Sequence, residues 1–323
     1  MVVLSSEDRM KRTACFIAIV SLIVLVATGC KPAASSAKNE VVVYCAQDHV
    51  YAEPILAEFT RQTGIRVRSV YDSEAVKTVG LANRLIAERS HPQCDVFWGN
   101  EELRTRQLAA MEVFRPTNGW AAMGYRSRRI VINTNLLDMS RVPRSLLELT
   151  NAEWRGRVVL AYPLFGSTAT HFLALRQHWG PEKWEAWCRA LVANRPLIVD
   201  GNSVSAKMVA RGEAWIGLTD SDDILVEKRR AAPLSVLPLT AESLLLPNTV
   251  GVVRGAPHPD TAQKLFEFLQ TRAALAPLVE AGALEGVDVP PEIAAAGTLQ
   301  PDWSRILADI ETATARMREI FLR

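Results

Sequence analysis

The sequence has 323 residues, of which 49% are hydrophobic and 22% are charged. A chain of this length and composition buries a core and has room for two domains of roughly 150 residues each, which excludes disordered and collagen-like proteins. Its 37 basic and 35 acidic residues give a net charge of +2, so nucleic acid is not expected as a partner. The longest apolar stretch, residues 14–27, is shorter than the ~20 residues of a membrane-spanning helix.

The first 29 residues have the layout of a secretory signal. Basic residues precede the apolar run Phe16–Val26, and small residues then lead to Cys30. This layout resembles a bacterial lipoprotein signal, in which the cysteine is acylated and becomes the new N-terminus. The resemblance predicts a signal peptide over residues 1–29, lipidation of Cys30 and a flexible tether over residues 30–40. Cleavage by the ordinary signal peptidase is the alternative.

Beyond the tether, apolar strands alternate with amphipathic helices. Val41–Cys45, Ile65–Tyr71 and Asp95–Trp98 are predicted strands, with helices between them. This order predicts an α/β fold with a parallel, doubly wound sheet. Further along the chain, Arg129–Asn133 is a strand that leaves this first lobe, and a second β/α series begins at Arg157.

The later elements follow the same pattern. Predicted strands are Ala214–Leu218 and Val250–Val253, and predicted helices are Pro54–Gln62, Val204–Arg211, Pro259–Gln270 and Pro301–Leu322. A helix that begins at Pro181 has an apolar face, which indicates core packing.

Polar residues follow the predicted strands where a doubly wound sheet binds its ligands, beyond the carboxyl ends. Asp48 and His49 follow the first strand, and Asn100 and Glu101 follow the third. We therefore expect these four residues near a ligand, with a solvated loop as the alternative.

Two carboxylates follow a strand in the second series. Asp220 and Asp222 lie two residues apart, so their side chains share a face if the extended backbone continues. Together they could bind one cation or amine. Capping of the next helix is the alternative, most clearly for Asp223.

Small polar residues begin two predicted helices. Ser167, Thr168 and Ala169 open one helix, and Asn202 lies in a similar position before the next. Free N–H groups at a helix start form an anion site, with simple capping as the alternative.

Motifs of common enzymes are missing from the sequence. It has no nucleophile elbow, no H-E-x-x-H zinc helix and no phosphate-binding P-loop. Catalysis is therefore not expected. The alternative is an envelope metallohydrolase that uses Asp220, Asp222 and Glu101 around a divalent ion.

Several segments, taken in order, resemble the iron-type solute-binding proteins of bacterial ABC importers. They are VVVYCAQDHVYAEPILAEFTRQTGIRVRSVYDSEA, PQCDVFWGNEEL, RSRRIVINTNLL, LAYPLFGSTATHFLAL, GNSVSAKMVARGEAWIGLTDSDD and DTAQKLFEFLQT. The resemblance implies a type II periplasmic-binding fold, in which two doubly wound α/β lobes joined by two crossing strands close on a ligand. On this scheme lobe 1 comprises residues 41–133 and 250–323, and lobe 2 comprises residues 134–249.

The resemblance also implies a ligand set. The histidine of ferric-binding relatives falls on Asp48, with His49 beside it, and their glutamate falls on Asn100 or Glu101. Their adjacent tyrosines are replaced here by Asp220 and Ser221 or Asp222. The implied metal ligands are Asp48, Glu101, Asp220 and Asp222, holding ferric iron (Fe3+) with a small anion at Ser167–Ala169.

We therefore expect a monomeric, lipid-anchored receptor in the periplasm or cell envelope that delivers a metal ion, most simply ferric iron, to an ABC permease in the inner membrane. A cationic organic solute such as thiamine or a polyamine is the alternative, because carboxylates also pair with amines and Trp98 could stack on a ring.

Overall fold

The computed structural model describes residues 39–72 and 77–322. The predicted signal peptide, Cys30 and most of the tether lie outside these residues. The chain divides into two units, Met1–Glu40 and Val41–Arg323, and the second unit holds nearly all of the described structure. In this part of the chain no helix is both long enough and apolar enough to cross a membrane.

The described residues contain nine strands. They are β1 (Glu40–Cys45), β2 (Arg66–Val70), β3 (Val96–Gly99), β4 (Trp120–Asn133), β5 (Val158–Ala161), β6 (Leu197–Val199), β7 (Ile216–Asp220), β8 (Leu234–Val236) and β9 (Leu245–Val252).

The same residues contain eleven α-helices, with short 3-10 turns between residues 139 and 154. They are α1 (His49–Thr63), α2 (Lys77–Ala87), α3 (Glu102–Ala110), α4 (Gly166–Trp179), α5 (Pro181–Ala193), α6 (Asn202–Ala210), α7 (Ser221–Arg229), α8 (Pro259–Leu269), α9 (Arg272–Ala281), α10 (Pro291–Ala294) and α11 (Trp303–Phe321).

The strands form two groups that share β4. The strand order is β2-β1-β3-β9-β4-β7-β5-β6, and β8 also pairs with β4. In the first group β1 and β3 are parallel, whereas β9 is antiparallel to both β3 and β4. In the second group β5 is parallel to β6 and β7. The predicted alternation of strands and helices is therefore confirmed, and antiparallel β4 and β9 run between its two halves.

Strand β4 is the element that the sequence predicted least completely. It has 14 residues, against five in the predicted strand Arg129–Asn133. Its first part pairs with β9 and changes register between Met123 and Arg126. Gly124 lies in this irregularity with φ +59°, where a Cβ would meet Leu284 Cδ1 at 2.5 Å. A glycine and buried arginines interrupt the apolar pattern and so conceal the strand.

The first predicted helix begins earlier than expected. The sequence predicted Pro54 as its first residue, but α1 begins at His49 and Pro54 lies inside it. Asp48, in the extended region, is its N-cap. The predicted start was wrong because proline is most common in the first turn of a helix but also occurs at later helical positions.

The C-terminal helix α11 packs against the second group of elements. Its Met317 and Phe321 belong to the same buried cluster as Phe172 and Trp184 of α4 and α5. The rings of Phe172 and Phe321 meet edge to face with centroids 5.7 Å apart. This packing places α11 beside residues of the predicted lobe 2, whereas the lobe boundaries themselves stay a prediction.

One arginine links α11 to the other half of the molecule. The guanidinium of Arg106 on α3 lies 5.0 Å from the ring centre of Trp120 and 5.1 Å from that of Trp303. Cation–π contacts of this kind each contribute about 0.5–1 kcal/mol at exposed sites. Helix α11 therefore contacts β4 and α3 through this arginine.

We expect Met317→Ala to lower the free energy of unfolding by about 2–5 kcal/mol, because Met317 is fully buried and its removal leaves a cavity. Urea unfolding measures the change. The matched control is Leu322→Ala, since Leu322 is 57% exposed and its loss should change stability by less than about 0.5 kcal/mol. Equal effects of the two substitutions would contradict the packing of α11.

Candidate functional site

The carboxyl ends of several strands surround a polar cavity of about 80 Å³. Asp48 and Asn100 follow β1 and β3, and the starts of α4, α6 and α7 complete the wall. Carboxyl ends of parallel strands and helix N-termini meet at the same edge of a doubly wound sheet, where ligands of such folds bind. The position of this cavity agrees with that rule.

Helix α7 brings three carboxylates to the cavity. Asp220 ends β7 and is the N-cap of α7, while Asp222 and Asp223 lie in its first turn. One oxygen from each of the three lies within 4.8 Å of the others. The backbone turns helical at Ser221, so these carboxylates converge through a helix start and not through a continued strand.

Asp220 is buried, and four groups hold its carboxylate. Arg128 donates from Nη1 to Oδ1 at 2.7 Å. Ser167 donates to Oδ2 at 2.6 Å, and Asn202 donates to the same oxygen at 3.2 Å. Arg126 approaches Oδ2 from Nη2 at 3.4 Å. Asp220 therefore joins β4, α4 and α6 at one point.

Arg126 lies between the first strands and α7. Its Nη1 donates to the carbonyl of Asn100 at 2.7 Å and lies 3.4 Å from Asn248 Oδ1 on β9. Its Nε lies 3.5 Å from Asp222 Oδ1. Within the described residues, neither Arg126 Nε nor Asp222 Oδ1 has a hydrogen-bond partner, although both atoms are buried. These two atoms therefore form an ion pair with each other without a hydrogen bond.

The three carboxylates differ in their pKa values. Burial favours a higher pKa for Asp220, but the charges of Arg128 and Arg126 outweigh burial and lower it. Burial raises the pKa of Asp222 to about 7 against the charge of Arg126. Burial and the charge of Asp222 raise the pKa of Asp223 well above its usual range. Asp220 is thus a fixed anion, while the other two lack a sufficient positive partner.

Three helix starts at the cavity have no side-chain cap. The N-cap residues of α4, α6 and α7 are Phe165, Gly201 and Asp220, and none of the three side chains accepts a bond from its helix. Backbone N–H groups at such ends bind anions well. The cavity therefore combines anion-binding backbone with cation-binding carboxylates.

The structure brings most of the sequence-predicted residues together. The following ones line the cavity: Asp48, Asn100, Ser167, Thr168, Asn202, Asp220 and Asp222. Thr168 and Asn202 also contact each other, with Oγ1 3.2 Å from Oδ1. Residues far apart in the sequence thus meet at one place.

Three predicted residues lie elsewhere. Ala169 is buried within α4 and does not reach the cavity wall. His49 is exposed and lies 3.8 Å from Glu53 on its own helix. Glu101 is buried as the N-cap of α3, accepting from Leu103 N at 2.7 Å and from Thr170 Oγ1 at 2.9 Å.

Sequence reasoning missed the two arginines of β4. Arg126 and Arg128 are two residues apart in a strand and both are nearly fully buried. Two like charges at this spacing share one face of a strand, and buried charges need opposite partners. The alternation of Arg126 and Arg128 just before an apolar run was therefore a sequence signal for buried arginines that pair with acidic residues such as Asp220.

Residues 41–283 match the family model described as bacterial extracellular solute-binding protein, which covers more than half of the chain. The chain belongs to this family. A relative, the Fe(3+)-binding periplasmic protein of Serratia marcescens, is 31% identical over 203 residues, 57% of this chain and 58% of that protein. The putative 2-aminoethylphosphonate-binding periplasmic protein of Salmonella typhimurium is 23% identical over 265 residues, 75% of this chain and 77% of that protein.

Two solved structures show the fold. Iron-bound HitA from Pseudomonas aeruginosa has a TM-score of 0.77 at 19% identity and covers 87% of this chain and 99% of its own. AfuA from Actinobacillus pleuropneumoniae, with fructose-6-phosphate bound, has a TM-score of 0.76 at 18% identity and covers 88% and 98%. The predicted type II periplasmic-binding fold is confirmed.

Family membership separates binding from catalysis. The family is one of solute-binding proteins, and the named relatives are described as binding proteins, which agrees with the sequence prediction that the chain is not an enzyme. The same findings favour a solute-binding protein over the metallohydrolase alternative.

We expect Arg128→Met to lower the free energy of unfolding by about 3–5 kcal/mol, because the buried Asp220 would lose its closest cation. Urea unfolding measures the loss. Adding Asp220→Asn should recover part of it. The control is Arg141→Met, whose ion pair with Glu153 is exposed and contributes less than about 1 kcal/mol. A loss no larger than that of the control would contradict a buried charge set.

The raised pKa of Asp222 predicts a pH dependence. Its folded value of about 7 lies above the ordinary 3.8, so the ligand-free folded chain retains a proton that the unfolded chain has lost. This contribution to stability is complete below about pH 4 and is lost as the pH rises through about 7. Over that interval the free energy of unfolding of the Asp222→Asn variant should therefore rise, relative to that of the unsubstituted chain, by up to about 1.4 kcal/mol per pH unit.

Urea unfolding of the variant and of the unsubstituted chain at a series of pH values gives the difference between their free energies of unfolding. If that difference stays constant between pH 4 and pH 7, Asp222 does not titrate in this range. Asp288→Asn is the control, since Asp288 is exposed.

Proposed function

We propose that this protein is the solute-binding component of an ABC import system, and that its solute is a metal ion, ferric iron, bound in the cavity at α7. The observation that carries the proposal is the group of three carboxylates within 4.8 Å of one another at the polar cavity, with Asp220 buried and Asp222 and Asp223 partly buried. Carboxylate oxygens suit hard cations. The iron-binding names of several relatives support the choice of metal.

Charge balance favours a cation. Asp48, Asp220, Asp222 and Asp223 line the cavity, and Arg126 and Arg128 supply two positive charges against them. Since Asp220 is held by both arginines, Asp222 and Asp223 are the carboxylates left for a solute. A cation would replace the protons that burial favours on them.

In this proposal the metal ligands are Asp222 and Asp48 from the original set, with Asp223 as an addition, while Asp220 stays bound to Arg126 and Arg128 and does not contact the metal. Glu101 already accepts three hydrogen bonds and would have to give up a cap to reach a metal. A small anion would complete the coordination from the start of α4 at Ser167 and Thr168.

A second candidate solute is a molecule that has both an anionic and a cationic group, such as an aminoalkyl phosphonate. The three uncapped helix starts would hold the phosphonate, and Asp222 and Asp223 would hold the ammonium group. The name of the Salmonella relative supports this class. A purely cationic thiamine or polyamine would leave the helix starts unused, and so fits this cavity less well.

We further propose that the mature chain is a monomer, lipid-anchored at Cys30 in the periplasm or cell envelope, and that it delivers its solute to an inner-membrane permease. Residues 41–133 with 250–323, and residues 134–249, would form lobes around β4 and β9. Helix α11 would return to pack against the second lobe. The cavity would then lie in the cleft between the lobes.

We expect Asp222→Asn combined with Asp223→Asn to weaken ferric binding at least about 100-fold, because both solute carboxylates become neutral amides. Calorimetric titration of the purified chain with ferric citrate measures the change. Asp288→Asn, at an exposed position, is the control and should bind as the unsubstituted chain does. Unchanged affinity in the double variant removes α7 from the site.

The two solute classes are separated by a parallel titration with 2-aminoethylphosphonate. Saturable binding of this compound without ferric binding supports the second candidate and rejects the first. Native mass spectrometry with elemental analysis of protein purified from its own envelope identifies the natural occupant. Turnover of either compound would reject a transport receptor.

A further inference from the structure

Helix α3 contacts both groups of strands, although it follows a strand of only one of them. It begins just after β3, and the hydroxyl oxygen of its Thr105 lies 2.7 Å from that of Thr249 on β9. Both threonines are fully buried. Helix α3 is therefore fixed to the first group of strands.

Other contacts of α3 reach α4, which belongs to the second group. Glu101, the N-cap residue of α3, accepts a hydrogen bond from Thr170 Oγ1 at 2.9 Å, and both side chains are buried. Two residues later, Leu103 is buried in the same cluster as Phe172 and Leu173 of α4. One polar and one apolar contact thus join the start of α3 to α4.

Arg106 joins α3 to α11. Its Nε donates to Glu102 Oε1, one turn earlier in the same helix, at 2.7 Å, and this bond orients the guanidinium. The guanidinium lies 5.1 Å from the ring centre of Trp303, the first residue of α11. This is the most exposed of the three contacts, since the Arg106 side chain is 32% accessible.

Helix α11 is bonded to the second group at both of its ends. Before its first turn, Asp302 N donates to Gln177 Oε1 on α4 at 3.2 Å. At its last residue, the carbonyl of Phe321 accepts from Tyr162 Oη, just after β5, at 3.2 Å. The contact of Arg106 with α11 therefore also joins the two groups.

The polar cavity lies between the same two groups. Asp48 and Asn100 follow strands of the first group, whereas the starts of α4, α6 and α7 belong to the second. Among the described residues that line this cavity, none belongs to α3 or α11. The contacts of α3 thus join the two sides of the cavity without touching its interior.

We propose that α3 is a clasp that keeps the cavity closed while no solute is bound. The clasp consists of the contacts of Glu101 with Thr170, of Leu103 with α4 and of Arg106 with Trp303. Separation of the two groups breaks these contacts, because each has one partner in each group. The proposal rests on the proposed function in one respect, which is that the two groups are the lobes that open around a solute. The clasp also raises affinity, since the apparent dissociation constant increases as the fraction of binding-competent molecules falls.

Arg106→Met removes the charge beside Trp303 and leaves an unbranched apolar side chain. We expect the ratio of open to closed molecules to rise about twofold to fivefold, which corresponds to the loss of one exposed cation–π contact. Small-angle X-ray scattering of the solute-free chain measures this as a larger radius of gyration. The matched control is Arg305→Met on α11, because Arg305 is exposed and pairs with Asp302 at the start of its own helix. The control should leave the radius unchanged.

Two substitutions at Trp303 separate the role of the ring from a general loss of packing. Trp303→Leu should enlarge the solute-free radius as Arg106→Met does. Trp303→Phe keeps an aromatic face for the guanidinium and should enlarge it less. Equal effects of the two Trp303 variants overturn the proposal, and so does an Arg106→Met radius equal to that of the control.

Saturation with ferric citrate should return the Arg106→Met variant to the radius of the unsubstituted chain. Calorimetric titration with the same compound should show binding weakened by up to about fivefold. Absence of ferric binding to the unsubstituted chain rejects the ferric solute, while the solute-free radii still decide whether α3 is a clasp. Ferric binding combined with unchanged solute-free radii retains the solute and rejects the clasp.

Discussion

The buried carboxylate of Asp220 and the two arginines of β4 are the interaction on which the rest of the site depends. Arg128 neutralises Asp220 at 2.7 Å, and Arg126 extends the same network to Asn100 and Asp222. A buried charge is tolerated only when paired, so this set fixes β4, β7 and the starts of α4 and α6 relative to one another. The cavity lies among these elements and is lined mainly by their polar residues.

This arrangement is also the basis of the function proposed for the cavity. Both arginines pair with Asp220 and only Arg126 also reaches Asp222, so burial raises the pKa values of Asp222 and Asp223. The uncapped starts of three helices lie around the same space. In the proposed function, the carboxylates on one side of the cavity hold a cation and the uncapped helix starts on the other side hold an anion. A metal with its counter-anion and a small zwitterion both meet that requirement.

The sequence predicted the fold well because periodicity and strand order are local properties. β1, β3 and β7 follow from apolar runs, and Asp48, Asn100 and Asp220 were placed near one another by the rule that ligands bind at strand ends. Glu101 could not be judged in this way, since its role as the N-cap of α3 depends on how the chain turns after β3. Arg126 and Arg128 gave only the signal of their alternation beside an apolar run, because the residues that pair with them are distant in the sequence. The first half of β4 was concealed because Gly124 and these arginines interrupt its apolar pattern.

The position of Arg106 between Trp120 and Trp303 has a consequence for any movement of α11 relative to α3. Helix α11 packs on α4 and α5, yet its first residue contacts an arginine of α3, which belongs to the other group of elements. Any movement of α11 relative to α3 would therefore pull this guanidinium off one of its two indole rings. The fluorescence of the two tryptophans would report such a movement.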